Sequence, residues 1–388
     1  MPARSSSLGV IALAFGAFIF NTTEFIPIAL LSDIGASFEL SPTHTGIMLT
    51  VYAWIVATLS LPLMLLTRNF ERKRLLLELF VVFVAGHLLS FLSQSFEILL
   101  LSRLAIALSH AIFWSITAAL AVRIAPKGME NRALGLLSLG TVLAMVLGIP
   151  LGRVVGDTYG WRLSFLFIGI FALVVMSILA KSLPRLESVN SGSLSTLPSL
   201  LRRKSLLLLY ALTVAIITAH FIAYSYIEPM MVQLGGFSPF YVTLVLSLYG
   251  AAGFLSAYLF GRYFARFARE FFYLCVGLII CSMALLKFLL FSPVAVAILA
   301  LFWGVGITAL SLAMLAKVLD FASDCTDVGS SIYSSLYNVG IGTGAFLGHY
   351  ISLFFGLSNI GLIGAILALF ALVLTHLLVR SAGFVKAV

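Results

Sequence analysis

The sequence predicts an all-α membrane protein of twelve transmembrane helices in two six-helix bundles. Three observations carry this. Of 388 residues, 62% are hydrophobic and 10% are charged, against about 45–50% and about 25% in soluble domains. The apolar residues gather into twelve runs, each near the ~20 residues that a helix needs to cross ~30 Å of hydrocarbon. A polar, breaker-rich stretch separates the first six runs from the last six. This composition excludes a soluble enzyme and a disordered chain.

The runs lie at 8–31, 44–66, 75–95, 98–122, 133–152, 163–180, 206–231, 240–261, 271–291, 294–316, 328–350 and 357–379. They are continuously apolar rather than alternating, which excludes a transmembrane β-barrel. The first is longer than a signal-peptide core and no Ala-x-Ala-like site follows it, so it reads as a retained span. The longest connection, about 181–205, carries Pro184, Ser188, Ser191, Gly192, Ser193, Ser195 and Pro198, then Arg202-Arg203-Lys204. The expected organisation is a bundle over 1–182, a cytoplasmic linker over 183–204 and a second bundle over 205–388.

Lys and Arg orient the spans. With both termini in the cytoplasm, 19 of the 23 basic residues fall on the cytoplasmic side. Arg153, Arg162 and Lys287 fall outside, and Arg103 falls within a span. The net charge of +9 is thereby explained as topology, with the lipid bilayer as partner and no nucleic acid. The acidic loop of Asp320, Asp324 and Asp327 does not overturn this, because acids weigh little in orientation. Cys275, Cys281 and Cys325 give no disulfide framework. No His/Cys/Asp/Glu cluster has metal-ligand spacing, so no metal is expected. No phosphate-binding loop and no nucleophile with a matching base is found, so no enzymatic activity is expected.

The two halves echo each other. Asn21-Thr22-Thr23-Glu24-Phe25-Ile26-Pro27 in span one and Tyr224-Ser225-Tyr226-Ile227-Glu228-Pro229 in span seven each place an acid shortly before a proline. Span five carries Gly140, Gly148, Gly152 and Gly156, and span eleven carries Gly340, Gly342, Gly344 and Gly348. Six plus six spans with such a repeat is a transporter architecture.

Charged and polar residues inside the spans must face protein or a wet cavity. At ~1.5 Å per residue, Glu24 and Arg103 lie at the same depth, so they are expected to approach each other or to share one cavity. Such a site can bind and release a proton, or it can be a static ion pair ordering helices one and four. Arg103, Ala107, His110 and Trp114 share one helical face, as do His220, Tyr224 and Glu228. Such stripes suit a pocket that stacks an aromatic on a sugar ring and hydrogen-bonds its hydroxyls. Tyr and Trp are also ordinary interface-belt residues, but Trp114 is too deep for that belt. Asn338 is either helix–helix glue or a ligand contact. His87, His349 and His376 read as structural, and Lys287 can snorkel. Gly148, Gly152 and Gly156 stand at spacing that lets backbones approach, and Pro150 should kink span five. That helix can serve as a rocking surface between halves.

These residues resemble the major facilitator superfamily, most closely its drug/proton antiporter branch and, within it, the bacterial sugar efflux transporters of the SotB type. The resemblance covers essentially the whole chain. It is carried by Phe18 to Phe25, His110 to Thr117, Ala144 to Arg153, Gly160-Trp161-Arg162 and Tyr224 to Pro229. Gly148-x-Pro150 with Gly152 is similar to the family's antiporter motif, and Arg103 matches its span-four arginine. The resemblance implies proton-driven export by alternating access in a bacterial inner membrane. It implies Arg103 in proton coupling, beside the Glu24 that the depth reading offers as the proton site, and no cofactor beyond the proton as coupling ion. The sequence offers Asn21, His110, Trp114, His220, Tyr224, Glu228 and Asn338 as candidate contacts for a small sugar. One chain holds both halves, which suits a monomer. The family's loop between spans two and three is degenerate here: Arg68-Asn69-Phe70-Glu71-Arg72-Lys73-Arg74 keeps the basic end but lacks the glycines and the aspartate. Its latch is either absent or uses Glu71. An exporter of drugs or of another small metabolite is the alternative cargo reading, and a channel or a scaffold is a further class.

Overall fold

A computed structural model of the chain describes residues 7–67, 69–127, 129–187, 197–324, 326–381 and 384. The Ser/Gly part of the expected linker, Ser188 to Ser195, lies outside the described residues, as do Arg4, Arg68, Cys325 and Lys386.

The described residues form two six-helix bundles. The first holds α1 (Ser7–Ala29), α2 (Ile47–Leu66), α3 (Arg72–Leu92), α4 (Phe96–Ile124), α5 and α6 (Trp161–Ser182). Helix α5 runs Glu130–Leu143, then through a wide π turn Ala144–Gly148, then Ile149–Tyr159. The second holds α7 (Lys204–Tyr224), α8 (Pro239–Tyr263), α9 (Ala268–Leu289), α10 (Pro293–Phe321), α11 (Thr326–Phe355) and α12 (Ile360–Val379). Beyond α7 the chain breaks at Ser225-Tyr226, then resumes as Ile227–Pro229 and a π turn Met230–Leu234. Among the described residues, eleven spans are long and apolar enough to cross a membrane on composition alone. The twelfth helix, α11, is diluted by Ser330, Ser331, Ser334, Ser335, Asn338 and its glycines. It is held by packing against α7 and α2.

The α1–α2, α3–α4 and α5–α6 connections meet at the upper end. Trp161 Nε1 donates to Ser37 Oγ at 2.8 Å, and Arg162 donates to the Ser93 carbonyl at 3.0–3.1 Å. Helices entering from this end are capped by serine side chains. Ser95 accepts from Ile98 N–H, Ser238 from Tyr241 N–H and Ser292 from Ala295 N–H, the last two followed by proline at the first helical position. Each cap satisfies a backbone donor that hydrocarbon cannot. The tight reversals α5–α6 and α11–α12 both use a glycine with positive φ, Gly160 at 91° and Gly356 at 82°. This is a trace of the internal repeat that needs the one residue without a Cβ.

At the lower end Glu71 caps α3, accepting from Lys73 N–H at 2.9 Å and Arg74 N–H at 2.8 Å. It also accepts from Leu186 N–H at 2.5 Å, and Arg72 N–H donates to the Leu186 carbonyl at 2.7 Å. Burial pushes the Glu71 carboxyl up, but these three N–H donors and the Lys73 charge outweigh it and hold it below the usual carboxylate range. Glu71 therefore ties the segment leaving α6 to its own bundle.

The glycine columns pack within bundles rather than between them, while α5 meets the second bundle through other residues. A Cβ on Gly140, Gly148 or Gly152 would collide with Ala14, Thr22 or Ile26 of α1 in turn, and one on Gly156 with Leu30 just beyond it. Gly340, Gly344 and Gly348 of α11 meet Ile217, Phe221 and Ile222 of α7 in the same parallel register. Between bundles, the α2–α11 and α5–α8 contacts dominate. Met145 of the π turn abuts Gly250. Pro150 follows that turn directly, so the lost backbone donor is absorbed by a widened coil rather than a simple kink. Gly140→Leu, which meets the backbone carbonyl of Ala14, is expected to lower the melting temperature in detergent by roughly 5 °C or more. Gly135→Leu, facing open space, serves as the unaffected control.

Two basic residues sit elsewhere than the loop assignments implied. Helix α5 continues seven residues past Gly152, so Arg153 lies inside it and is 2% exposed rather than in an outer loop. Lys317 is 3% exposed in the last turns of α10, bonded to Asp320 at 3.1 Å. In both cases an acid within reach lets the helix carry the charge inward.

Candidate functional site

A cavity of ≈ 320 Å³ lies between the bundles. Seven of the residues singled out from sequence line it: Asn21, Glu24, His110 and Trp114 from the first bundle, and His220, Tyr224 and Asn338 from the second. Its volume is within the ~300–1,000 Å³ range of small-molecule sites.

One wall is aromatic. Tyr224 stacks on Tyr249 with ring centroids 4.7 Å apart, and His220 stacks on Tyr224 at 4.9 Å. Trp303 stands edge-on behind all three at 5.4–6.2 Å, fixing their planes. The helical step of four residues puts His220 and Tyr224 on this wall, whereas Tyr249 comes from α8 and Trp303 from α10. The opposite wall is built on α4, where the His110 and Trp114 rings lie 6.2 Å apart. Polar atoms punctuate both walls. Asn21 Nδ2 donates to the Ala17 carbonyl at 3.0 Å and to Thr141 Oγ1 at 3.4 Å. Asn338 Nδ2 donates to the Ser334 carbonyl at 3.0 Å, while Asn338 Oδ1 is buried with no protein partner. Buried acceptors without partners are what a hydroxyl-bearing ligand would satisfy.

Glu24 is 8% exposed and faces His110 Nε2 at 3.6 Å. The expected approach of Arg103 to Glu24 takes a different form. Arg103 does not line the cavity, and no Glu24–Arg103 ion pair forms. Arg103 is 0% exposed, donates to the backbone carbonyl of Thr23 at 3.0 Å and lies 4.2 Å over the Tyr52 ring. The side chain therefore holds α1 beside Glu24 and leaves the carboxylate free toward the cavity. His87 is anchored between Thr23 Oγ1 and the Phe83 carbonyl, both at 2.9 Å.

Glu228 is not a cavity residue. The helical step from His220 and Tyr224 offered it as a further contact, but the break after α7 carries Glu228 off their wall at the upper end, where it is 0% exposed. There it accepts from Ser32 N–H at 3.2 Å, Ser32 Oγ at 2.8 Å and Arg153 at 3.3 Å. Arg153 also binds Asp33 and Asp157, each at 3.0 Å, and the Ala29 carbonyl. This cluster joins the bundles above the cavity. Tyr226 Oη, within 3.4 Å of the Thr43 carbonyl, and His349 Nδ1, 2.7 Å from it, add to the closure.

Gly148 and Gly152 act on the site indirectly, by letting α5 lie against Thr22 and Ile26. Tyr249, Met145 and Ser311 also line the cavity and were not singled out from sequence. Trp303 had a usable signal, since the depth argument applied to Trp114 applies equally to it.

The family model described as Major Facilitator Superfamily matches residues 13–325. The chain belongs to the major facilitator superfamily. Among superfamily proteins, a "Probable sugar efflux transporter" of Mannheimia succiniciproducens is 50% identical over 360 residues, covering 92% of this chain and 90% of that protein. A bacterial homolog of the human lysosomal transporter Spinster, inward-facing and unoccupied, superposes with a TM-score of 0.77 at 15% identity, covering 98% of each chain. A POT family transporter in complex with 5-aminolevulinic acid gives a TM-score of 0.79 at 12% identity, covering 96% of each chain. These two structures speak to the fold alone.

Proposed function

We propose that this chain exports small sugars, arabinose-like or related glycosides, by proton-coupled alternating access across a bacterial inner membrane. The observation that carries the reading is the composition of the cavity. A carboxylate, stacked aromatics and a buried acceptor without a partner converge there from both bundles. The aromatic wall suits the apolar face of a sugar ring, and Asn338 and Asn21 suit its hydroxyls. The full-length similarity to a probable sugar efflux transporter supports the same substrate class. Glu24 is the proton site, Arg103 positions it, and no other coupling ion or cofactor is invoked. The basic-residue asymmetry supports both termini in the cytoplasm, with the upper end outside. The ion cluster of Arg153 and Glu228 then closes the outer face.

The test is uptake of labelled arabinose into inside-out vesicles with and without an acidic interior. Gradient-stimulated, saturable uptake is expected. Uptake that ignores the gradient removes proton coupling. No uptake of any sugar removes the substrate class and moves the reading to drugs or another small metabolite, which Met145, Phe25 and Phe221 in the cavity would suit.

A further inference from the structure

We propose that a second, water-sized cavity behind Glu24 is a proton-transfer site, in which one water molecule links the Glu24 carboxylate to the hydroxyls of Tyr52 and Ser225. The inference rests on the proton-coupled reading and deepens it.

This cavity measures ≈ 10 Å³ and is lined by Glu24, Tyr52, Ser225 and five apolar side chains. That is about the space of one water, which needs two to four polar partners to stay. Three are present. Tyr52 Oη and Ser225 Oγ are each buried with no protein hydrogen-bond partner, at 2% and 0% residue exposure. Unpartnered buried hydroxyls are rare in folded proteins and point to a bound polar group. The geometry around them is fixed. Arg103 over the Tyr52 ring holds that side chain, and Ser225 sits at the break where α7 ends. Ile28 and Leu49, which also line the cavity, put it on the upper side of Glu24, away from Asn21 and Asn338. Glu24 lines both cavities, so the carboxylate meets the substrate space on one side and this site on the other.

The transfer balances simply. As the bundles begin to part at the outer face, a hydronium entering from solvent gives a proton to the water still held between the two hydroxyls. The water gives a proton to a Glu24 oxygen, forming the neutral acid. Tyr52 and Ser225 hold the water by hydrogen bonds and end unchanged. The two hydroxyls come from opposite bundles, α2 and the end of α7. The site therefore exists only while the upper end is closed, and separation of the bundles opens it to solvent. The titratable and charged groups facing Glu24 are Arg103 and His110 of α4, Tyr52 of α2, Tyr224 of α7, Tyr249 of α8 and Tyr337 of α11.

The full chain in vesicles carries the test. Labelled arabinose is followed in two modes, gradient-driven uptake and gradient-free exchange. Tyr52→Phe and Ser225→Ala each remove one hydroxyl, and Ser225→Val also fills the space. We expect exchange near the wild-type rate in all three. Gradient-driven uptake should fall by ~100-fold in Ser225→Val and in the Tyr52→Phe/Ser225→Ala pair. Undiminished gradient-driven uptake in these variants overturns the proposal. A wild type that exchanges arabinose but ignores the gradient is a different result, and it removes the proton-coupled reading itself. Infrared difference spectra on acidification give a readout that needs only folded protein. The Glu24 carboxyl band, assigned by its loss in Glu24→Gln, should shift in Tyr52→Phe and Ser225→Ala. A band unmoved in both also overturns the proposal.

Discussion

Glu24→Gln is expected to abolish proton-driven transport and to spare exchange. Glutamine keeps the shape of the side chain and its capacity to hydrogen-bond, but it cannot titrate. Glu24 faces the cavity, with His110 Nε2 at 3.6 Å and no direct ion pair to Arg103, and glutamine fills the same space. The fold should therefore survive, and the loss should be confined to coupling. Gradient-driven arabinose uptake should fall by ~100-fold or more, as when a positioned proton carrier is removed. Gradient-free exchange should stay near wild type. Full gradient-driven uptake in Glu24→Gln would end the assignment of Glu24 as the proton site. Loss of exchange as well would mean that the carboxylate binds substrate rather than proton.

Arg153→Met should be the most damaging single change at the upper end. Arg153 and Glu228 are 2% and 0% exposed, and Asp33 and Asp157 share the same guanidinium. Removing one partner of a buried ion pair costs ~3–5 kcal/mol, because the other charge is left without compensation. Glu228 also carries the link to Ser32 across the bundles, so the cost falls on the closed arrangement more than on an open one. A spin-label pair at Gln94 and Gln233, exposed positions near the upper end of different bundles, reads this directly. The longer distance should gain population in Arg153→Met. Adding Glu228→Gln should restore part of the shorter one, since the stranded charge is then gone. An unchanged distribution in Arg153→Met would show that the cluster does not hold the closure.

Much of the site was legible because polar residues stand out against apolar runs. Asn21, Glu24, His110, Trp114, His220, Tyr224 and Asn338 needed no more than that contrast and the helical step, and they converge on one cavity. What stayed hidden depends on partners remote in sequence. Arg153 looked like a loop residue because apolarity ends near Gly152, yet Asp33 and Glu228 from distant segments, with Asp157 one turn along the same helix, draw the helix onward. Glu228 shares a helical step with His220 and Tyr224, but the break at Ser225-Tyr226, which takes it off their wall, is not written in local composition. Tyr249 is an ordinary aromatic in an apolar run, and only the packing of α8 against α10, with its ring on Tyr224, makes it a wall. The π turn at Ala144–Gly148 likewise leaves no periodic mark, although Pro150 pointed to some irregularity there.

The glycine columns have a mechanical consequence. They fasten α1 to α5 and α7 to α11 at close range. Helices α5 and α11 are also those through which each bundle touches the other. The side chains presented by α1 and α7 are thus bolted to the contact surfaces and cannot drift independently of them. When the bundles tilt, each wall moves as a finished plate. The gap between plates changes, while the pattern on each plate does not. Discrimination among cargoes then works like a calliper. A molecule is accepted by its thickness between two fixed jaws, and enlarging one jaw residue should change the preferred size without altering which chemical groups are recognised.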